Sequence, residues 1–282
     1  MQIYTQPEEL RQLRHELTLT GKTLAVVPTM GNLHDGHLSL IEKAQSLADL
    51  VICTIFVNPS QFGPEEDLDA YPRTPDADLA ALRRYHVDGV FTPGVEGMYP
   101  PGDETRVTVP ALSELHCGAV RPGHFTGVAT VVCKFLNLIQ ADYAVFGEKD
   151  FQQLAIIRRM VTDLFIPTEI HGAPTLRAED GLALSSRNGY LTADERQRAP
   201  ELYRQLMLTR DRIQQGERDY RQLEQSAHEH LTREGWRPDY FSICRQHDLQ
   251  AAEPTDQKLV ILAAARLGRA RLIDNLTVDL KP

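Results

Sequence analysis

Residues 24–37 read LAVVPTMGNLHDGH, a short apolar run that gives way at Pro28 to a segment with two glycines and two histidines. The apolar run predicts a buried strand that ends at Pro28, and the amphipathic pattern that starts at about His37 predicts a helix. A second apolar run, residues 50–57, is rich in β-branched side chains, as is typical of a central strand in a parallel sheet. Together these segments predict the first unit of an α/β fold.

Strand and helix patterns continue to alternate through the first 170 residues. We expect, in chain order, a helix over 78–85, a strand over 87–92, a helix over 124–139, a strand over 143–146, a helix over 149–164 and a strand over 168–171. Such alternation favours a Rossmann-like, doubly wound parallel sheet with helices on both faces and right-handed crossovers. Ligands of these sheets bind beyond the carboxyl ends of the strands.

The pattern changes near residue 173. Polar helices over 192–214 and 219–233 precede three strand-like runs at 240–244, 259–265 and 271–273. This order predicts a second, smaller α+β domain in the C-terminal part. We therefore divide the chain into domains 1–172 and 173–282.

Composition excludes several classes of protein. The 282 residues are 42% hydrophobic and 24% charged, which is ordinary for a soluble globular chain. With 30 basic and 39 acidic residues the formal net charge is −9, so we expect no broad binding to nucleic acid. The apolar run at 50–57 is too short to span a bilayer, and the N-terminus lacks the pattern of a signal peptide. The four cysteines form no CxxC pair, which favours a reduced, cytoplasmic protein.

The segment between the first strand and its helix is the strongest candidate site. No GxxxxGKS/T motif, no GxGxxG after a strand and no HExxH occurs, which disfavours P-loop ATPases, common dinucleotide dehydrogenases and zincins. Gly31 and Gly36 allow a close backbone approach, and the helix N-terminus offers N–H groups to a phosphate. His34 and His37 would point to the same side and donate hydrogen bonds to phosphoryl oxygens. Two other interpretations of the pair stay open, namely surface histidines at a helix start and a metal pair without an obvious third ligand.

The sequence HDGH at 34–37 resembles the HxGH signature of the nucleotidylyltransferase superfamily, which binds ATP there and cleaves it between the α- and β-phosphates. Residues 181–188, GLALSSRN, stand where that superfamily has a KMSKS-like loop. Two hydroxyls and a guanidinium on a loop suit a mobile clamp on the β- and γ-phosphates.

Three further segments narrow the resemblance: FVNPSQF at 56–62, RPGHFTG at 121–127 and FGEKDFQQ at 146–153. With VPTMGNLHDGH at 27–37 and DGLALSSRNGYLT at 180–192, they are similar to the pantoate–β-alanine ligase family over nearly the whole chain. The resemblance implies a cytoplasmic homodimer that makes pantothenate from pantoate, β-alanine and ATP, with Mg²⁺. It also implies that AMP and pyrophosphate are released and that a pantoyl-adenylate is the intermediate.

The resemblance further implies roles for single residues. His37 would be the general acid, His34 would contact phosphate, and Lys149 and Arg187 would offset charge on the phosphates. A helix N-terminus disfavours a positive charge, so we expect His37 to be neutral at rest. The segments expected to bind ATP contain Met30, Gly31, Asn32, Leu33, His34, Asp35, Gly36, His37, Gly147, Glu148, Lys149, Asp150, Leu176, Leu184, Ser185, Ser186 and Arg187.

Gln61 and Gln153 match the glutamines that hold pantoate in the family, and an amide can donate to one substrate oxygen while it accepts from another. The gem-dimethyl carbon of pantoate needs an apolar wall, for which Val131 and Val132 are candidates, although their helical spacing is equally that of core residues. No residue is assigned as a metal ligand. The expected chemistry needs no side-chain nucleophile, in agreement with the absence of a convincing Ser-His or Cys-His arrangement.

Lys149 falls at the predicted start of a helix, where the helix dipole disfavours a cation, so an anionic ligand would explain its place. Arg121 and His124 flank a Gly-rich turn that either closes the pocket or is a plain surface loop.

A relative that transfers a nucleotidyl group to a phosphate ester would keep HxGH but would have no evident use for Gln61 and Gln153. A non-catalytic nucleotide-binding protein would have lost a charged site residue, and none is missing.

Overall fold

The computed structural model describes residues 1–64, 66 and 68–280. Its strands are β1 (Gln2–Tyr4), β2 (Leu24–Thr29), β3 (Leu50–Ile55), β4 (Gly89–Phe91), β5 (Tyr143–Gly147), β6 (Glu169–Ala173), β7 (Arg237–Arg245), β8 (Lys258–Leu267) and β9 (Ala270–Asp279). Its helices are α1 (Pro7–Thr20), α2 (Asp35–Gln45), α3 (Pro75–Arg84), α4 (Val95–Met98), α5 (Pro110–Ser113), α6 (Cys117–Val120), α7 (His124–Ile139), α8 (Phe151–Asp163), α9 (Ala193–Arg198), α10 (Glu201–Gln214) and α11 (Tyr220–Arg233). Short 3₁₀ turns cover Pro59–Gln61, Glu148–Asp150 and Ser186–Tyr190. Among the described residues no helix is both long and apolar enough to cross a membrane.

Within the described ranges, six strands form a parallel sheet in the order β1-β4-β3-β2-β5-β6. Strands β3 and β4 lie on one side of β2, and the chain then returns to place β5 and β6 on the other side. Neighbouring residues of β2 face opposite ways: Leu24 and Val26 pack in the cluster that contains α7 and α8, while Ala25 and Val27 pack in the cluster that contains α2. Both faces of the sheet are buried, which confirms the doubly wound α/β class.

In the described part of the C-terminal region, three antiparallel strands pair in the order β7-β8-β9. Helices α10 and α11 cover this sheet and bury Leu206, Leu231 and Trp236. The smaller α+β unit is therefore present. The boundary at 172/173 stays a prediction, because Cys244 and Leu262 of this unit also belong to the main core.

The sequence patterns miss β1 and α1, so the predicted first strand is the second strand of the sheet. Strand β1 has three residues and is too short to show a period. The predicted helix over 192–214 is wrong in one respect, since it divides into α9 and α10 near Pro200, whose ring and missing N–H interrupt a helix. The helix over 124–139 is confirmed, and the strand predicted at 271–273 extends to Asp279 because β9 pairs with β8 along its whole length.

Strand β2 does not end at Pro28 but continues to Thr29 beside β3. The Thr29 carbonyl accepts from Phe56 N on the β3 side, so the preceding Pro28 faces the β5 side. Pairing of β2 with β5 is confined to Ala25 and Val26, and therefore no N–H is needed at Pro28. The proline stands where two central strands separate and a crevice opens between them.

Helix α7 touches the turn Pro59–Gln61 at Gly127. A Cβ at this position would lie 2.3 Å from the Ser60 carbonyl oxygen and 2.7 Å from Gln61 Cα, closer than real contacts. We expect Gly127→Ala to push the turn away and to lower the free energy of unfolding by about 1–3 kcal/mol in urea unfolding. Gly94→Ala is the matched control, because a Cβ there has no neighbour within 4 Å. A loss no larger than that of the control would contradict the close-packing explanation.

Candidate active site

The crevice between β2 and β5 is the centre of the candidate site. Strand β2 leads to α2 on one face of the sheet, and β5 leads to α8 on the other. The two connections therefore leave the sheet in opposite directions, and the space between them is the ligand-binding position of doubly wound folds. Residues 30–34 form one wall of this space, and the turn Glu148–Asp150 forms the other.

The connection from β2 to α2 is held by Asp78, a buried carboxylate in α3. Its Oδ2 accepts from Asn32 N (2.9 Å), and its Oδ1 accepts from Leu33 N (2.8 Å). Gly31 has φ +80°, and a Cβ there would lie 2.9 Å from Asp78 Oδ2, so the position requires glycine. No motif in the sequence marks Asp78, whose only signal is its place at the start of the helix predicted over 78–85.

His34 and His37 cap the start of α2, which begins at Asp35, two residues before the predicted start. His34 Nδ1 accepts from Gly36 N (3.1 Å), and His37 Nδ1 accepts from the backbone N–H of His34 (3.3 Å). The ring centroids lie 4.1 Å apart. Because each Nδ1 accepts from a backbone donor, the neutral rings carry their protons on Nε2. Each ring thus keeps one Nε2–H that can donate to a ligand.

Burial keeps both imidazoles neutral. Desolvation, together with the nearby His34 and Lys149, lowers the pKa of His37 to about 3. Desolvation and Lys149 also lower the pKa of His34. The expectation of a neutral His37 is confirmed, with burial rather than the helix dipole as the main cause.

Lys149 lies across the crevice from the histidines, in the turn Glu148–Asp150. The helix predicted over 149–164 begins only at Phe151, so Lys149 precedes α8 and the explanation from the helix dipole is wrong in that form. Its side chain is 17% exposed, and Nζ lies 3.8 Å from Asp150 Oδ2, beyond hydrogen-bond distance. A largely buried ammonium group in a loose ion pair favours an anionic ligand nearby.

The SSRN segment, residues 185–188, follows β6 in the chain and lies against the crevice. It follows a hairpin in which Leu184 N donates to Leu176 O (3.0 Å). Ser185 Oγ accepts from Arg187 N (3.3 Å) and so caps the next 3₁₀ turn. Ser186 Oγ reaches the connection between β2 and α2. The loop thus lies against Asn32, which immediately precedes the LHDGH residues, and Ser185, Ser186 and Arg187 line the same cavity as His34 and His37.

Gln61 is fixed from two sides. Asn58 Nδ2 donates to Gln61 Oε1 (3.0 Å), and Gln61 Nε2 contacts Met30 Sδ (3.2 Å). Asn58 is 1% exposed and also donates to the Gly127 carbonyl (3.2 Å). The amide oxygen of Gln61 is thus held by Asn58, and its NH₂ group is on the side of Met30. Asn58 belongs to the FVNPSQF segment but is not among the residues predicted from the sequence to form the site.

A chain of polar contacts continues from Gln61. His124 Nδ1 donates to the Gln61 carbonyl (2.8 Å), and His124 Nε2 accepts from Arg121 Nη1 (3.0 Å). Arg121 in turn forms two 2.6 Å hydrogen bonds with Glu66. Burial and Arg121 lower the pKa of His124 to about 4, while the Arg121 hydrogen bonds outweigh burial and lower the pKa of Glu66 to about 2. The turn at 121–127 therefore belongs to the wall of the pocket rather than to a plain surface loop.

Two adjoining cavities, of about 220 and 420 Å³, occupy the crevice. Both are lined by Met30, Gln61, Lys149, Asp150, Gln153, Ser185 and Arg187. The smaller one is also lined by His34, Gly36, His37, Gly147, Leu176, Leu184 and Ser186. The remaining residues predicted to bind ATP lie beside the cavities without lining them: Gly31, Asn32, Leu33, Asp35 and Glu148.

Val131 and Val132 are 5% and 4% exposed and pack in the main hydrophobic core. They also line the smaller cavity, beside Phe56 and Phe146. Both interpretations left open by the sequence are therefore correct: the two valines are core residues, and they also form an apolar wall of the cavity.

A protein-held metal centre does not fit this site. The described residues contain no group of three or more His, Cys, Asp or Glu side chains that could hold a metal ion. Among the described residues, His34 and His37 have no third ligand with which to hold a metal ion. Helix capping and hydrogen bonding to a ligand therefore explain the pair better than metal binding does.

The sequence matches the family model described as pantoate-beta-alanine ligase over residues 2–277. The pantothenate synthetase of Marinobacter nauticus is 54% identical over 273 residues, which cover 96% of this chain and 97% of that protein. The pantothenate synthetase of Pseudomonas paraeruginosa is 55% identical over 274 residues, with 96% and 97% covered.

Solved structures agree with this match. A pantothenate synthetase from Thermus thermophilus has a TM-score of 0.92 at 46% identity, covering 98% of this chain and 99% of its own. A pantoate-beta-alanine ligase from Francisella tularensis, in a complex with beta-gamma ATP and beta-alanine, has a TM-score of 0.82 at 34% identity, with 98% and 97% covered. The chain therefore belongs to the pantoate–β-alanine ligase family, the enzymes that join pantoate to β-alanine.

Proposed function

We propose that the chain carries out its family's ATP-dependent reaction in two steps within the paired cavities between β2 and β5. The observation that supports this is the convergence of three phosphate-binding features and two glutamines on one space. The α2 N-terminus, Lys149 and the SSRN loop surround the smaller cavity, while Gln61 and Gln153 line both cavities.

The phosphates of ATP lie between the α2 N-terminus and Lys149 in this proposal. The Nε2–H groups of His34 and His37 donate to phosphoryl oxygens, and neither ring brings a charge that must be neutralised. Lys149 and Arg187 supply the positive charge. Donors fixed before the reaction stabilise charge that develops on the phosphates without reorganisation.

Pantoate lies against the apolar wall, with its oxygens toward the glutamines. The NH₂ group of Gln61 donates to a pantoate oxygen, since Asn58 already holds the amide oxygen. Val131 and Val132 contact the gem-dimethyl carbon, and Gln153 completes the polar side of the site.

In the first step a pantoate carboxylate oxygen attacks the α-phosphorus in line. The bond from that phosphorus to the bridging oxygen breaks, and pyrophosphate leaves with the electron pair. In the second step the β-alanine amine attacks the adenylate carbonyl carbon, the bond from that carbon to the phosphate oxygen breaks, AMP leaves with the electron pair, and the nitrogen releases its proton to solvent. Lys149 and Arg187 offset the charge of the departing pyrophosphate in the first step.

Mg²⁺ accompanies ATP in this proposal. Since the described residues do not form a metal centre, the ion would be held chiefly by phosphate oxygens and water, and no step is assigned to it. The sequence resemblance also supports a homodimer in the cytoplasm and a 173–282 domain that closes over the site.

Exchange of labelled pyrophosphate into ATP tests the order of the steps. Because the phosphate-binding groups serve adenylation, we expect exchange to need pantoate and Mg²⁺ but not β-alanine. An absolute requirement for β-alanine would contradict a two-step reaction.

A substitution at His37 tests the phosphate side. We expect His37→Ala to slow adenylation by about 10²–10⁴-fold, the range for one positioned hydrogen-bond donor or acid, whereas His15→Ala on the exposed side of α1 leaves it unchanged. Burial lowers the pKa of His37 to about 3 in the ligand-free enzyme, so the pH profile of kcat/KM, which reports the free enzyme, should show no protonation of this donor between pH 5 and 8. An acid limb near pH 6.5 that disappears in His37→Gln would show that this neutral state is wrong.

A substitution at Lys149 should affect the two half-reactions differently. If it offsets phosphate charge, Lys149→Ala should lose roughly 3 kcal/mol of transition-state stabilisation in adenylation, about 10²-fold in rate. The same variant, given prepared pantoyl-adenylate and β-alanine, should form pantothenate close to the wild-type rate. Single-turnover rates measure both steps, with Lys43→Ala on the exposed face of α2 as the control. Equal losses in both steps would mean that Lys149 supports the whole pocket instead.

A further inference from the structure

The turn that carries Lys149 is held by a residue of the small sheet. Asn275, in β9, is 7% exposed, and its Nδ2 donates to the carbonyls of Glu148 (2.9 Å) and Lys149 (2.8 Å). One amide thus uses both of its hydrogens on two successive carbonyls of the 3₁₀ turn Glu148–Asp150.

The preceding residue holds the other ATP segment. Asp274, 5% exposed, accepts from both terminal nitrogens of Arg177 (2.6 and 2.9 Å) and from Asn275 N (2.8 Å). Arg177 also donates to the Gly181 carbonyl (3.1 Å) and lies 3.6 Å from the ring centroid of Tyr203. Arg177 pairs with Ala183 in the hairpin that leads to the SSRN loop.

We propose that Asp274 and Asn275 are positioning residues that set the Lys149 turn and the SSRN hairpin in place relative to one another. The inference rests on the proposed role of Lys149 in adenylation. Neither residue is among those that the motifs single out, and the strand predicted at 271–273 stops one residue short of them.

The contact requires a side chain at position 275 that donates two hydrogen bonds. A carboxylate is an acceptor only, so Asn275→Asp would keep the shape of the side chain but place one of its oxygens against both carbonyl oxygens. Asn275→Ser keeps a single donor in a smaller side chain. Displacing a reacting group by about 1 Å can cost a factor of about 10² in rate.

A double-mutant cycle in the full-length chain tests the inference. We expect Asn275→Asp to slow single-turnover adenylation by about 10- to 100-fold, Asn275→Ser to slow it less, and both to spare the reaction of prepared pantoyl-adenylate with β-alanine. In the Lys149→Ala background, Asn275→Asp should slow adenylation no further. Amide hydrogen exchange over residues 148–152 should become faster in Asn275→Asp without any ligand present.

Gln246→Ala is the matched control, because Gln246 also donates its amide to a backbone carbonyl, that of Leu259, within the same small sheet but away from the cavities. It should leave adenylation and exchange over 148–152 unchanged. Equal losses from Asn275→Asp in both backgrounds, or unchanged exchange over 148–152, would overturn the inference. A Lys149→Ala enzyme with normal adenylation would instead overturn the proposed role of Lys149, and with it the premise. If Asn275→Asp does not fold, Asn275→Ser is judged by the same comparisons.

Discussion

The separation of β2 from β5 is the constraint on which the site depends. These neighbours pair only at Ala25 and Val26, while β2 stays paired with β3 as far as Thr29. Pro28 cannot donate toward β5 and therefore stands at the point of separation. The helices that follow the two strands cover opposite faces of the sheet, so the crevice cannot be filled by either connection. Everything assigned to catalysis lies around that opening.

Backbone segments at the crevice are held by buried polar side chains rather than by regular structure. Asp78 binds two N–H groups of the connection after β2, and Asn275 binds two carbonyls of the turn after β5. His34 performs the same task at the α2 N-terminus. Because buried polar groups are costly without partners, each of these side chains restricts its segment to one conformation. A site built from loops thereby acquires the rigidity that orientation of the reactants needs.

Much of this could be predicted from the sequence, and the limits have physical causes. Periodicity predicts the central strands and α7 because both are long and continuously buried, whereas the three-residue β1 shows no period. The resemblance to the family's motifs predicts that the HDGH, GEKD and SSRN segments share one site, and the rule that ligands bind beyond the carboxyl ends of parallel strands agrees with this for HDGH and GEKD, which follow β2 and β5. Asp78 and Asn275 could not be found in this way, since they act through contacts to residues 45 or more positions away. A lone Asp in a helix and an Asn in a strand carry no local signal of such a contact.

The side chains that line the larger cavity are mainly positive, whereas the net charge of the whole chain is negative. The formal net charge is −9, yet in the described residues the larger cavity is lined by more cations than anions. The cations are Arg121, Lys149, Arg187, Arg266, Arg269 and Arg271, and the anions are Glu66, Asp150 and Asp274. Two of these cations, Arg121 and Arg271, pair with Glu66 and Asp239, and one of the anions, Asp274, pairs with Arg177. A local excess of cations in a chain of negative net charge favours anionic ligands at this cavity. Neutral histidines are consistent with this arrangement, because burial and the nearby Lys149 both disfavour a positive charge at His34 or His37.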